Sequence, residues 1–212
     1  GSGKSTIAEL LEVAFVQARG MRVARLSIDD FYLTRAEREV LGNEVHPLLR
    51  TRGVAGTHDM ELMGAVIDGL VRGETVRTPR FDKAVDDREP EPETIPGPVD
   101  LVIVEGWCVG ARPEPEAGLV DPINDLEAQE DENGQWRRHV NERLSDADYR
   151  QVFDGFSRFV FLQVPEMDSV FNWRLRQEEM LRARAGDKSG VMDAAGVRRF
   201  IMHYERITRN ML

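Results

Sequence analysis

Gly1-Ser2-Gly3-Lys4-Ser5-Thr6 opens the sequence and runs directly into Ile7-Ala8-Glu9-Leu10-Leu11-Glu12. Gly1 to Ser5 match the last five positions of the phosphate-loop pattern G-x-x-x-x-G-K-[ST]. A nucleoside triphosphate needs many hydrogen-bond donors at close range. A glycine loop at the start of a helix offers backbone N–H groups, no obstructing side chains and the positive end of the helix dipole. Gly1, Ser2, Gly3, Lys4, Ser5 and Thr6 are therefore the expected ATP-binding segment, with Lys4 supplying a point charge to the transferred phosphate and Ser5 a hydroxyl to Mg2+. The alternative is an ordinary Gly-rich turn, which would not need an amphipathic helix behind it. That helix is written in Ile7, Leu10, Leu11, Ala14, Phe15 and Ala18, with Glu9, Glu12 and Gln17 between them and Gly20 as its stop.

Working outward, Val23 to Ile28 predicts a strand that delivers Asp29 and Asp30 to its C-terminal tip, and Leu101 to Val104 a second that delivers Glu105. Phe159 to Val164 predicts a third, stopped by Pro165. Continuous apolar strands separated by helical stretches indicate a parallel sheet covered on both faces: an α/β, three-layer P-loop NTPase fold. Met60 to Val71 is expected to be a helix, with Asp59 or Thr57 near its N-cap, as are roughly Met167 to Ala185 and Asp193 to Met211. Asp82 to Pro98 is charged and Pro-rich and predicts an exposed loop. Residues 111–145 predict an acidic insertion, concentrated around Glu127 to Asn133 and closed by a helix near Trp136 to Leu144. The link Gly186 to Gly190 reads as mobile. The 212 residues, 41% of them hydrophobic, suit one domain, with substrate-side loops at about 31–98. Because the phosphate-loop pattern is entered part-way and the last helix has no stop signal, the expectation is a fold truncated at both ends.

A formal net charge of −10 argues against nucleic-acid partners and anionic membranes, both of which select for a basic face. The single cysteine, Cys108, precludes an internal disulfide framework, so the cytoplasm is the expected compartment. Oligomeric state is not legible.

Four groups of residues carry candidate chemistry. Asp29 at a strand tip suits a general base, and Asp30 a metal ligand or second base; capping the next helix is the bland alternative for either. Glu105 suits a ligand to Mg2+ or its water shell. Arg50, Arg52, His58, Asp59, Arg80, Asp82 and Lys83 form a substrate-side group in which guanidinium forks could hold a carboxylate, the alternative being solvated surface charge. Arg174 and Arg176, with Arg182 and Arg184 further along, lie on a helix that could close over the transferring phosphoryl group, or could simply be a salt-bridged surface with Glu178 and Glu179.

Ile28-Asp29-Asp30-Phe31-Tyr32-Leu33-Thr34, His46-Pro47-Leu48-Leu49, Arg52-Gly53, Gly56-Thr57-His58-Asp59, Pro79-Arg80-Phe81-Asp82-Lys83 and Glu105-Gly106-Trp107-Cys108-Val109-Gly110 together resemble plant-type D-glycerate 3-kinases. The likeness continues through Trp173-Arg174-Leu175 to His203-Tyr204-Glu205-Arg206. That family is similar to uridine kinase, phosphoribulokinase and pantothenate kinase. The resemblance implies transfer of the ATP γ-phosphate to the 3-hydroxyl of D-glycerate with Mg2+, Asp29 acting as base, Glu105 associated with the metal, and Arg174 and Arg176 on the lid. Two other functions fit the same residues: a P-loop kinase of another small metabolite, and a nucleotide-binding regulator that transfers nothing.

Overall fold

The computed structural model describes residues 3–185 and 192–212. Helix α1 (Lys4–Arg19) starts at Gly3 and ends at Gly20, whose φ of 63° turns the chain out of the helix while its N–H bonds back to the carbonyls of Phe15 and Val16. Strand β1 (Val23–Ser27) follows and passes into a tight 3-10 turn, Ile28–Phe31. Helix α2 (Arg35–Glu44) was not legible in the apolar periodicity. A capping box fixes its start, in which Thr34 accepts from the Glu37 N–H and the Glu37 carboxylate reaches back to the Thr34 N–H. Helix α3 (Met60–Val71) begins at Asp59, whose carboxylate accepts from Leu62 N–H at 3.0 Å.

The region 82–98 is more ordered than its charge and proline content predict. It contributes to short antiparallel ladders, one pairing β2 (Val76–Thr78) with β5 (Glu93–Ile95) and one pairing β3 (Phe81–Asp82) with β4 (Asp87–Arg88). Polar strands of two or three residues leave almost no period-2 signal. Strand β6 (Leu101–Glu105) then lies parallel to β1, in a register that sets Ser27 beside Glu105 and so brings both acidic strand tips to the same end of the sheet.

The expected third strand, Phe159 to Val164, is not one: this segment makes no ladder, and Phe159, Val160 and Phe161 are largely exposed. Among the described residues no strand pairs with it, and an apolar run acquires strand geometry only through a partner's hydrogen bonds. Residues from this segment, from β6 and from the inner side of α1 instead line one cavity of about 1340 Å3.

Residues 111–145 carry the expected helix near Trp136 to Leu144 and pack a second helix before it. Helices α4 (Asp125–Glu130) and α5 (Gln135–Arg143) bury Leu126, Glu127, Trp136, Arg137 and Val140. Helix α6 (Ala147–Asp154) packs on α3 through Tyr149, Val152 and Phe153. Helices α7 (Met167–Ala185) and α8 (Ala194–Met211) pack together, α8 starting at Asp193 and burying Val197, Ile201 and Ile207. Gly1, Ser2, the link Gly186 to Gly190 and the side chains of Arg182 and Arg184 lie outside the described residues.

Candidate active site

Lys4, Asp29 and Glu105 all line the large cavity, although they come from the start of α1, the end of β1 and the end of β6. Parallel pairing is the cause, since a parallel sheet places its carboxyl ends together and a helix N-terminus facing them completes a concave, donor-rich wall. Ser5 Oγ donates to Glu105 Oε1 at 2.8 Å. This hydroxyl–carboxylate pair is an all-oxygen set suited to a hard cation that takes a few protein oxygens and fills its shell with phosphate and water. Among the described residues no group of three or more His, Cys, Asp or Glu assembles that would hold a metal by side chains alone.

Asp29 is partly buried and doubly engaged. Tyr32 Oη donates to its Oδ1 at 2.8 Å and Lys83 Nζ to its Oδ2 at 2.5 Å. Burial works against its ionisation, but the charge of Lys83 and the hydrogen bonds from Lys83 and Tyr32 outweigh it and hold the carboxyl below its ordinary value. Asp30, one residue on, accepts from Arg80 Nη1 and from the Phe81 N–H, both at 3.2 Å, and does not line the cavity. The metal role expected for Asp30 thus has no geometry behind it; the side chain ties β3 to the end of β1.

His58, Asp59 and Asp82 are likewise turned to local structure. His58 is 3% exposed, stacked on Tyr32 with ring centroids 4.7 Å apart. Tyr149 Oη accepts from the Gly56 N–H at 2.9 Å and shares a 3.0 Å hydrogen bond with His58 Nδ1. Burial pushes the His58 pKa down to about 4, and the ring stays neutral beneath Tyr32. Asp59 caps α3 and pairs with Arg88 at 3.0 Å, while Asp82 accepts from the Ala84 N–H at 2.7 Å. Arg80 does not line the cavity, and Arg50, which does, is taken up by Glu39 at 2.8 Å and Asn43 at 2.6 Å.

Two cations of the expected substrate group face the cavity beside Asp29: Arg52 and Lys83. Arg52 is paired with Asp86, which the buried Arg38 grips through Asp86 Oδ2 at 3.1 Å and the Asp86 carbonyl at 2.6 Å. Its guanidinium lies 5.4 Å from the centre of the Phe81 ring. The backbone that carries it is pinned from two sides, by Tyr204 Oη donating to the Arg52 carbonyl at 3.0 Å and by Trp107 Nε1 donating to the Gly53 carbonyl at 3.0 Å. The Trp107 and Tyr204 rings meet edge to face. Gly53, with φ at 129°, makes this approach possible, because a Cβ there would stand 2.3 Å from Tyr204 Oη. Tyr32, Trp107, Tyr204 and Asp86 were not singled out from sequence as site residues; aromatic residues read first as core, and nothing in spacing alone brings Tyr204 to Arg52.

Arg174 of α7 lines the cavity, with Nη2 2.5 Å from Glu178 Oε1 and its guanidinium 5.0 Å from the centre of the Phe200 ring. Arg176, two residues on, is exposed and does not line it, since residues two apart on a helix face different ways.

No family model matches the chain. An uncharacterized kinase of Schizosaccharomyces pombe is 36% identical over 216 residues, a match covering 96% of this chain and 75% of that protein. The chloroplastic D-glycerate 3-kinase of Arabidopsis thaliana is 28% identical over 220 residues, 96% of this chain but 44% of that enzyme. The solved D-glycerate 3-kinase of Cryptococcus neoformans superposes with a TM-score of 0.80 at 29% identity, over 97% of this chain and 73% of that one. The chain belongs to the same kinase family as the Schizosaccharomyces pombe protein, and it is similar to D-glycerate 3-kinases. It is an ATP-using small-molecule kinase of α/β fold, as its residue pattern and its resemblance implied. Lys4, Asp29 and Glu105 line one hollow; Lys83 is ion-paired with Asp29 at 2.5 Å, and Arg52 lines the same hollow. No helix among the described residues is long and apolar enough to cross a membrane.

Proposed function

We propose that this kinase transfers the γ-phosphoryl group of ATP to the 3-hydroxyl of D-glycerate, giving 3-phosphoglycerate and ADP. The observation that carries the proposal is the convergence of Lys4, Asp29 and Glu105 with Arg52 and Lys83 on one cavity. The names of the Arabidopsis and Cryptococcus relatives supply the acceptor, and two cations next to the base candidate suit its carboxylate.

Asp29 takes the proton as the acceptor oxygen forms its bond to the γ-phosphorus, while the bond from that phosphorus to the bridging oxygen breaks and ADP leaves. Lys4 and the N–H groups at the start of α1 hold the phosphates. Arg174 lies on the cavity wall, where it can face the charge on the equatorial oxygens. Ser5 and Glu105 would hold Mg2+, which would supply positive charge against the negative charge developing in phosphoryl transfer. Arg52 and Lys83 orient the acceptor carboxylate; Arg50, His58, Asp59, Arg80 and Asp82 shape the loops beneath them.

A coupled assay offering D-glycerate, pantothenate, uridine and ribulose 5-phosphate tests the acceptor. The expected result is turnover of D-glycerate well above the other three. Preference for any other acceptor would replace the substrate, and ATP binding without transfer to any of them would leave only the nucleotide site.

A further inference from the structure

The two donors on Asp29 are held very differently. Tyr32 is 3% exposed, and its ring is clamped between the stacked His58 and the edge of Phe81, whose centroid is 5.2 Å away. Its hydroxyl is a permanent feature of the Asp29 environment. Lys83 reaches the other oxygen from the turn between β3 and β4, with its side chain 57% exposed and four rotatable carbons behind the ammonium. Only the second donor can leave without disturbing the core.

An acceptor hydroxyl must hydrogen-bond to Asp29 to deliver its proton. With a phenol on one oxygen and an ammonium on the other, the carboxylate is a poor base, and an acceptor hydroxyl at Oδ2 has to compete with the ammonium. Arg52 stands beside the same turn, its Nη2 3.5 Å from the Lys83 carbonyl, and both side chains line the cavity. An anion placed between Arg52 and Lys83 would compete with Asp29 for the ammonium; an uncharged acceptor of the same shape would not.

We propose that Lys83 is a specificity-determining residue that ties the base to the charge of the acceptor, because a carboxylate held between Lys83 and Arg52 draws the ammonium off Asp29 Oδ2 and exposes that oxygen to the acceptor hydroxyl. The acceptor class is then a small hydroxy acid with a free carboxylate, and neutral polyols are rejected at the proton-transfer step as well as at binding. This rests on the glycerate kinase function proposed above and extends it from which acceptor is used to how a neutral one is refused.

The experiment compares D-glycerate with its amide, 2,3-dihydroxypropanamide, in the full-length kinase and in Lys83→Met and Lys83→Gln variants, measuring kcat and KM for each and the melting temperature alongside. The wild type is expected to favour glycerate strongly. In both variants kcat/KM for glycerate should fall about thirtyfold or more, the scale of one lost charge-assisted bond, while the amide changes by less than about threefold or improves. The preference between the two acceptors should therefore collapse. An equal fall for both acceptors, or an unchanged preference, would overturn the inference and leave glycerate kinase activity standing. Absence of glycerate turnover in the wild type would overturn the function and this inference together. The exposure of Lys83 makes loss of folding an unexpected result, and the melting temperature identifies it if it occurs.

Discussion

The charges around Arg206 and those around Asp29 use the same residue types to opposite ends. Arg206, on α8, spends all five of its donors: Nε and Nη2 on Glu127 at 2.7 and 2.6 Å, Nη1 on Glu114 at 3.0 Å, and the remaining two on the carbonyls of Gly118 and Asp121 at 2.8 and 2.9 Å. Glu127 is fully buried and also accepts from the Ile123 N–H. Nothing is left over for a ligand. Around Asp29 the cations are partly exposed, face a cavity, and keep donors in reserve. Saturated, buried charge fixes the chain; unsaturated charge on a cavity wall is available for chemistry.

The sharpest way to break that contrast is to remove Glu127. Glu127→Ala would leave the Arg206 guanidinium buried with two bonds unmade, and a loss of about 3 to 5 kcal/mol of folding stability is expected by denaturant titration. Activity per folded molecule should be nearly unchanged; a selective loss of turnover at full stability would erase the distinction.

Asp29→Asn is the mirror experiment. Turnover should drop at least about a hundredfold, the usual scale for losing a general base, with ATP binding and melting temperature close to wild type. Unaltered turnover would remove Asp29 from its role.

His58 sharpens the comparison from the side of pH. Its folded pKa, about 4, lies below the unfolded value near 6.5, so the unfolded chain binds the extra proton first. The stability tied to neutral His58 is fully present above pH 6.5 and is lost as pH falls toward 4. Between pH 7 and 5 the loss should be about 2 kcal/mol, and His58→Gln should flatten that part of the profile. A wild-type profile without this slope would mean that the ring is not sealed beneath Tyr32.

The smallest expected effect belongs to the edge of the open site. Tyr204→Phe removes only the hydroxyl that holds the Arg52 carbonyl, and KM for the acceptor should rise about fivefold, near 1 kcal/mol, with KM for ATP unchanged. A parallel rise in both constants would make Tyr204 a general support rather than a positioning residue for Arg52.

What could be read in the chain differs sharply between these regions. The half built on α1, β1 and β6 was legible because its signals are local: Gly3-Lys4-Ser5 followed by an amphipathic helix, and acidic residues immediately after apolar strands, are decided by neighbours in sequence. The substrate half was over-read. The sequence puts seven polar residues in one group, yet Arg80 ties off Asp30, Arg50 is spent on Glu39 and Asn43, Asp59 is a helix cap, and His58 is core. Composition cannot tell a charge that is satisfied from one that is spare. The role of the acidic insertion is not legible for the same reason, since nothing in the sequence pairs Glu127 with Arg206, 79 residues away.

By itself the sequence determined α1, β1, β6, α3 and the last two helices, because helix caps, glycine stops and hydrophobic periodicity act over a few residues. Only the tertiary structure decided which polar side chains meet: parallel register put Asp29 and Glu105 at one end of the sheet, and the packing of α8 set Tyr204 against Gly53 and Arg52. It also decided that Phe159 to Val164 is not a strand. Pairing, saturation and strand identity are properties of partners, and partners distant in sequence are chosen by the folded chain as a whole.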